Sequence, residues 1–241
     1  MDRLLTRPAT VLVLAAAAVA AAGAAWLWLG ERAMAQPHAL EWSARTFWMA
    51  VVMWQSMMVA MMTPAVAPWV GAYAGLVGTR AGHTLASSSS FASGYFVVWL
   101  GYSVLAALLQ VAAGTLGVLS HQGASNLVAG TVLIGAGAFQ FAPVKHACLA
   151  HCRNPLSYLL SRWVDGPIGG FRLGLTHGAY CVGCCWLLML TGFAVGLMNL
   201  AWMAVLTVVV SLEQGTRGGV RLGRLFGAAL IAWGIGLCWT A

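Results

Sequence analysis

The chain has 241 residues, of which 61% are hydrophobic and only 7% are charged, and its formal net charge is +7. Soluble domains carry about 25% charged residues, so this composition excludes an ordinary soluble domain. It predicts an all-α, polytopic transmembrane helical bundle whose main partner is the lipid bilayer. The positive charge is typical of the cytoplasmic loops of a membrane protein, and we expect no nucleic-acid partner.

The first apolar run follows Arg3 and Arg7 and covers about residues 10–30, which is long enough to span a membrane. A cleaved signal peptide is the alternative, because residues 33–35 (Ala-Met-Ala) resemble a cleavage site. The charges of Glu31 and Arg32 just before that site favour an uncleaved helix.

A second span is expected from about Arg45 to Met62, after which Pro64 and Pro68 should disturb the helix. A proline at position 143 should end the fourth span. Later apolar runs predict spans at about residues 91–119, 126–142, 173–195, 200–212 and 224–239. The whole chain, 1–241, is then one domain of seven spans, or six if the first is a cleaved signal.

Basic residues favour one side of this topology. With the N-terminus in the cytoplasm, ten lysines and arginines fall on inner segments, and two, Arg32 and Arg45, fall on outer ones. This bias follows the positive-inside rule. It predicts a cytoplasmic basic loop at 143–172, the longest polar stretch, with the start of the fifth span on the same side.

Three cysteines and a histidine share one stripe of the fifth span. At about 100° per residue, these side chains fall within roughly one quarter of the helix circumference. They are His177, Cys181, Cys184 and Cys185. Thiolates bind Cu(I), zinc or iron–sulfur clusters, and imidazole suits zinc and copper. Because the adjacent Cys184 and Cys185 should diverge, other segments must complete a closed site. The alternative is that the cysteines pack as small apolar residues.

A second cluster lies in the predicted basic loop. Cys148 and Cys152 are four residues apart and face one side if the segment is helical, and His151 should share that side. The topology places this segment at the depth of His177 and Cys181. The two clusters together are therefore candidates for one closed Cys/His site. An amphipathic surface helix with incidental cysteines is the alternative.

Methionines recur along the second span at Met49, Met53, Met57 and Met61, with a neighbouring pair at Met58 and Met62. Thioethers select Cu(I) over zinc or magnesium. A ladder of such weak donors predicts a copper path, with the methionines at 53, 57 and 61 as candidate ligands. The alternative is that these flexible side chains fill the core.

A few polar residues interrupt the apolar segments, where they are expensive. Gln140 is expected to face the same site as Lys145, whereas Glu213 is expected to be solvated or paired with Arg217. Asn199 should cap the sixth helix. The chain has no P-loop, no dinucleotide fingerprint and no HExxH motif, so nothing in it indicates an enzyme of those classes.

Several stretches carry a family resemblance, and they cover residues 48–64, 137–140, 145–155, 181–186 and 196–199. In these stretches the chain resembles a bacterial family of predicted metal-binding integral membrane proteins. The resemblance extends over about residues 45–214 and implies a polytopic helical fold, a metal role and the bacterial cytoplasmic (inner) membrane. A basic residue would be expected after Glu213, whereas Gln214 stands there.

The leading hypothesis is a protein that binds or transfers a soft metal ion, with copper favoured over zinc. Burying thiolates in lipid is costly unless a cation neutralises them, which is the physical reason to expect a metal. Candidate partners are a metallochaperone or a metalloenzyme. Two alternatives stay open: a membrane thiol–disulfide oxidoreductase that uses Cys181 and Cys184, and a structural or assembly factor for a membrane complex.

Overall fold

A computed structural model gives the fold of the chain and describes residues 8–34, 43–80, 84–120, 123–196 and 199–241. Over these ranges the chain is helical apart from one antiparallel pair of two-residue strands, β1 (Leu119–Ser120) and β2 (Gly123–Ala124). The helices are α1 (Pro8–Met34), α2 (Ala44–Arg80), α3 (Thr84–Thr115), α4 (Asn126–Phe139), α5 (Pro143–Cys152), α6 (Pro155–Ser161), α7 (Gly166–Leu190), α8 (Gly192–Val195), α9 (Leu200–Gly215) and α10 (Gly219–Trp239). The predicted all-α class is confirmed.

Four stretches are long and apolar enough to cross a membrane: Ala44–Gly78, Leu85–Thr115, Gly166–Val195 and Gly219–Trp239. The pair α4 and α5 adds a fifth candidate if it is counted as one span, although its two halves are bent by 64°. The 16 residues of α9 extend about 24 Å, less than the hydrocarbon core of about 30 Å. The described apolar part of α1, Val13–Leu29, is also short. The predicted count of seven or six spans is therefore not supported, because apolar runs alone do not reveal helix length.

Both prolines of the second span lie inside α2, which continues for 37 residues, so the predicted disturbance of this helix is wrong. Apolar helices tolerate proline because hydroxyl groups and neighbouring helices satisfy the freed backbone groups.

Residues 143–172, predicted as a basic loop, are largely helical. Pro143 begins α5 after α4 has ended at Phe139, as expected from its fixed backbone angle. Helix α5 buries Lys145, Leu149 and Cys152 and lies against α7. The segment is therefore part of the helical body. The helix predicted as the sixth span is α9, and its predicted cap is confirmed, since Asn199 Oδ1 accepts a hydrogen bond from the Trp202 backbone N–H at 3.0 Å.

Glycines set the closest helix contacts. Helices α3 and α7 run parallel, and a Cβ atom at Gly94 would overlap the Phe171 carbonyl oxygen, while one at Gly178 would lie 3.0 Å from the Tyr95 carbonyl oxygen. Helices α4 and α10 run antiparallel and approach equally closely, since a Cβ atom at Gly130 would lie 2.6 Å from the Gly234 carbonyl oxygen. Small residues let helix backbones approach closely. This contact fixes the depth of α3 beside α7, and so places Tyr95 next to the cysteine stripe.

We expect Gly94→Ala to lower the stability of the protein, because the added methyl group must push α3 away from α7. Overpacking of this kind costs about 1–3 kcal/mol. The matched control is Gly101→Ala in the same helix, where a Cβ atom would meet nothing within 4 Å. It should be neutral or slightly stabilising, because alanine is the better helix former. The measurement is the thermal unfolding midpoint in detergent, and equal midpoints for the two variants would contradict the proposed contact.

Candidate metal centre

The stripe of α7 carries a compact group of thiols. The Sγ atoms of Cys181, Cys184 and Cys185 lie within 4.8 Å of one another, and all three residues are buried. The thiols of Cys184 and Cys185 donate to the Cys181 carbonyl at 3.1 and 2.9 Å. The expectation that the adjacent cysteines diverge is therefore wrong, because both side chains turn back toward the preceding helical turn.

Helix α5 brings a fourth thiol near this group. Cys152 is buried close to Cys181 and Cys184, although its Sγ atom lies outside the group of three sulfurs that are all within 4.8 Å of one another. Cys148 is half-buried at the edge, where its Sγ would lie 2.9 Å from a Cβ atom at Gly183. The two cysteine clusters of the sequence thus lie close together, and whether they share an ion stays a prediction.

Two polar side chains from other helices contact the same sulfurs. The Tyr95 hydroxyl shares a hydrogen bond of 3.1 Å with Cys181 Sγ. From α9, Gln214 Nε2 donates to Cys181 Sγ at 3.4 Å and to Cys184 Sγ at 3.8 Å. Sequence reasoning did not assign either residue to the site. The available signal was a polar side chain inside an apolar helix, which is expensive unless it has a partner.

His177 lies one turn before Cys181 on the same stripe, with only 1% of its surface exposed. Its ring is stacked between Trp69 and Tyr95, with centroid distances of 3.8 and 5.3 Å. Its Nε2 atom has no hydrogen-bond partner among the residues that the structure describes. A buried polar nitrogen without a partner is destabilising, so this atom is a candidate metal ligand.

His151 is not brought to the thiols. It is exposed, its ring stacks on Tyr180 at 4.0 Å, and its Nδ1 atom pairs with the Ala147 carbonyl at 3.0 Å. Adjacent helical residues point about 100° apart. Because Cys152 takes the direction of the thiols, its neighbour His151 faces elsewhere.

Two of the three predicted methionine ligands of α2 line an apolar cavity, and the third does not. Met57 and Met61 line an apolar cavity of about 550 Å³ between α1, α2 and α9, together with Met203 and the buried Trp26. Met53 is buried but does not line this cavity. The structure thus groups two of the three predicted methionines with Met203 of α9.

Two aromatic contacts give the depth of these methionines relative to the thiols. Trp54 lies beside Phe193 with a ring distance of 5.2 Å, and Trp69 stacks on His177. Helix α2 therefore runs antiparallel to α7 and α8, which carry His177 and Phe193. Met61, midway between the two tryptophans, lies at the depth of Cys184 and Cys185, which are midway between their partners.

A buried ion pair joins α5 to α9. Lys145 Nζ donates to both carboxylate oxygens of Glu213 at 2.9 and 2.8 Å, and also to Gln140 Oε1. The side chains of Lys145 and Glu213 are 1% and 2% exposed. The expected position of Gln140 facing Lys145 is confirmed. The expectation that Glu213 is solvated or paired with Arg217 is wrong, because α9 turns this residue into the interior.

A comparison with protein families gives one match, to a family model described as PpoB2, copper chaperone, over residues 51–237. The matched region contains five of the six cysteines and leaves out Cys238. No curated protein and no solved structure matches the chain.

The geometry predicts two classes of thiol. In the native protein, Cys148 and Cys238, which are partly accessible, should react with a small alkylating reagent. The four buried cysteines, 152, 181, 184 and 185, should react at least about tenfold more slowly, because they must wait for local opening. Mass spectrometry of peptides after timed alkylation in detergent measures the difference. Unfolded protein, in which all six thiols should react alike, is the control. Equal reactivity of Cys181 and Cys238 would contradict the arrangement.

Proposed function

Because the chain belongs to the PpoB2 family of copper chaperones, we propose that it is an integral membrane protein that binds Cu(I) at its buried thiols and transfers the ion to a partner protein. The observation that carries this proposal is the buried group of three thiols on α7, whose Sγ atoms lie within 4.8 Å of one another, with Cys152 of α5 close to two of them. Thiolate is the protein ligand that favours Cu(I).

Three sulfurs form the proposed binding set: Cys152, Cys181 and Cys184. Metal–sulfur bonds of about 2.3 Å place the sulfurs of one site about 4 Å apart. Cys181 and Cys184 already have their Sγ atoms within 4.8 Å of each other, and Cys152 is proposed to complete the site from α5. Cys185 supplies a nearby alternative sulfur, which favours exchange of the ion between ligands.

Binding replaces thiol protons by the ion, so three thiols that bind one Cu⁺ release three protons and leave a net charge of −2. In an apolar interior this charge needs compensation. The Tyr95 hydroxyl and the Gln214 amide already contact these sulfurs and can donate to the thiolates. His177 Nε2, one turn away, is proposed as an additional nitrogen donor for an ion that enters or leaves.

The cavity between α1, α2 and α9 is the proposed access route. Met57, Met61 and Met203 place thioethers on its wall, and Met61 lies at the depth of the α7 cysteines. Thioethers are neutral and bind Cu(I) weakly, so they can pass an ion on without trapping it. Met53, although buried, has no part in this route.

The remaining assignments rest on composition and charge. The four or five candidate spans support insertion in a bilayer, which we propose is the bacterial cytoplasmic membrane. The excess of basic residues supports a cytoplasmic N-terminus, with α5 and the start of α7 at the cytoplasmic side. The proposed partners are a metallochaperone that supplies copper and a metalloenzyme that receives it.

A second candidate function is thiol–disulfide exchange. The contact of Cys152 with Cys181 joins two helices, so oxidation of this pair by a disulfide-bearing partner would release the partner as two thiols. In that case the pair should cycle between a disulfide and free thiols. Alkylation before and after treatment with oxidised and reduced glutathione distinguishes this function from metal binding.

We expect purified wild-type protein, reduced and loaded with Cu(I), to retain close to one copper ion per chain. The variant Cys181→Ala with Cys184→Ala should retain less than about a tenth of that amount, because it loses two of the three proposed ligands. Cys238→Ala is the matched control, since Cys238 lies apart from the cluster near Leu127, and it should retain copper fully. Elemental analysis after desalting is the measurement.

The metal content of the wild type and of the double variant can also turn out otherwise. Full retention by the double variant would contradict the proposed ligands. Zinc in place of copper would indicate a structural site, and no metal in the wild type would favour the disulfide or assembly functions.

The access route predicts a kinetic effect. Replacing Met57, Met61 and Met203 by leucine keeps the volume but removes the thioethers. Cu(I) loading should become several-fold slower, because the weak thioether ligands of the route are lost, while the final copper content stays the same. Met49→Leu, on the same helix but outside the cavity, is the control. Stopped-flow loading from a coloured Cu(I) chelator measures the rate, and unchanged rates would contradict the route.

A further inference from the structure

We infer that the buried Lys145–Glu213 ion pair is a positioning device that holds Cys152 against the thiols of α7. This inference rests on the proposed function for its role in copper binding. Its geometric part concerns only how α5 is held in place.

Helix α5 does not continue into a neighbouring helix at either end. It is 10 residues long and is bent by 64° from α4. At its other end, a break at Arg153–Asn154 separates it from α6. The direction in which Cys152 points must therefore be set by side-chain contacts of α5 with its neighbours.

Polar contacts tie both ends of α5 to α9 and to the turn that follows it. Near the start of α5, Lys145 makes its two bonds to Glu213. At its end, Arg153 donates to the carbonyl oxygens of Thr216 and Arg217 at 2.8 and 3.2 Å. Lys145 and Cys152 are seven residues apart, which is two helical turns, so they share one face of α5. Fixing Lys145 therefore fixes the rotation of α5 and the direction of Cys152.

The residue next to Glu213 in α9 contacts the thiols of α7. Glu213 is followed by Gln214, whose amide contacts Cys181 and Cys184. The ion pair thus joins two of the helices that approach the α7 thiols, and Tyr95 of α3 contacts Cys181 from a third. Among the residues that the structure describes, no other ion pair joins α5 to α9.

Helix α10 is shaped to leave room for the pair. A Cβ atom at Gly223 would overlap the Glu213 carboxylate, and one at Gly227 would lie 2.6 Å from the Cβ atom of Gln140. Apolar side chains of similar size often stabilise a protein as well as a buried ion pair does. A directional pair, however, also selects one register between two helices, which is what a thiol site built from separate helices requires.

The test uses the variant Lys145→Met with Glu213→Gln, in which both charges are removed together so that no unpaired charge stays buried. Copper affinity is measured by competition with a coloured Cu(I) chelator. We expect this variant to bind Cu(I) about 10–100-fold more weakly than the wild type, as for other groups that orient metal ligands. Adding Cys152→Ala should weaken binding little further, because the pair acts through that thiol.

The sulfur count separates positioning from a general loss of stability. X-ray absorption of the copper-loaded variant should show one sulfur ligand fewer than the wild type, as Cys152→Ala alone should. Losses of affinity that multiply when the changes are combined, or an unchanged sulfur count, would overturn the inference. Cys238→Ala, combined with the charge-free variant, is the control for which the losses should simply multiply.

A measurement without copper keeps this inference distinct from the proposed function. In the charge-free variant, Cys152 should become open to alkylation while Cys181 stays protected. Continued protection of Cys152 overturns the inference even if copper binds. Reactive Cys152 in a protein that binds no copper supports the positioning role and contradicts the proposed function alone.

Discussion

The thiol cluster lies in an interior that excludes water, and the rest of the structure follows from that constraint. A buried thiolate is stable only when a cation or hydrogen-bond donors compensate its charge. The chain meets this condition with residues of several helices, since Tyr95, Gln214 and Cys152 all contact the sulfurs of α7. The unpaired nitrogen of His177 lies one turn away. The same group of contacts is what the proposed binding of a soft cation depends on.

Close helix packing makes this arrangement possible. Glycines let α3 approach α7 until backbones touch, which brings Tyr95 to Cys181, and glycines in α10 leave space for Glu213 and Gln140. Ring contacts of Trp54 and Trp69 hold α2 at a defined depth. Van der Waals contact and hydrogen bonds are the main forces between helices in lipid. The site therefore depends on small residues as much as on the ligands themselves.

Two parts of the structure differ in what they offer an ion. The thiol centre is buried, polar and held by directional contacts, whereas the cavity of Met57, Met61 and Met203 is apolar and bounded by weak neutral donors. Such a gradient from weak to strong ligands suits the stepwise transfer of Cu(I). Helix α5, the short segment that carries Cys148 and Cys152, joins the centre to a part of the chain rich in basic residues. A partner that approaches there would meet the half-buried Cys148 before the buried thiols.

The sequence by itself determined the features that depend on composition and helical period. It predicted the all-α class, the stripe of His177, Cys181, Cys184 and Cys185, and the role of Pro143, because these follow from hydropathy, 3.6 residues per turn and proline chemistry. Only the tertiary structure decided the number of candidate spans, the outward direction of His151 and the separation of Met53 from the methionine cavity. It also decided the pairing of Lys145 with Glu213, 68 residues apart. Such contacts depend on the rotation and depth of helices that are distant in the chain, and local periodicity carries no information about either.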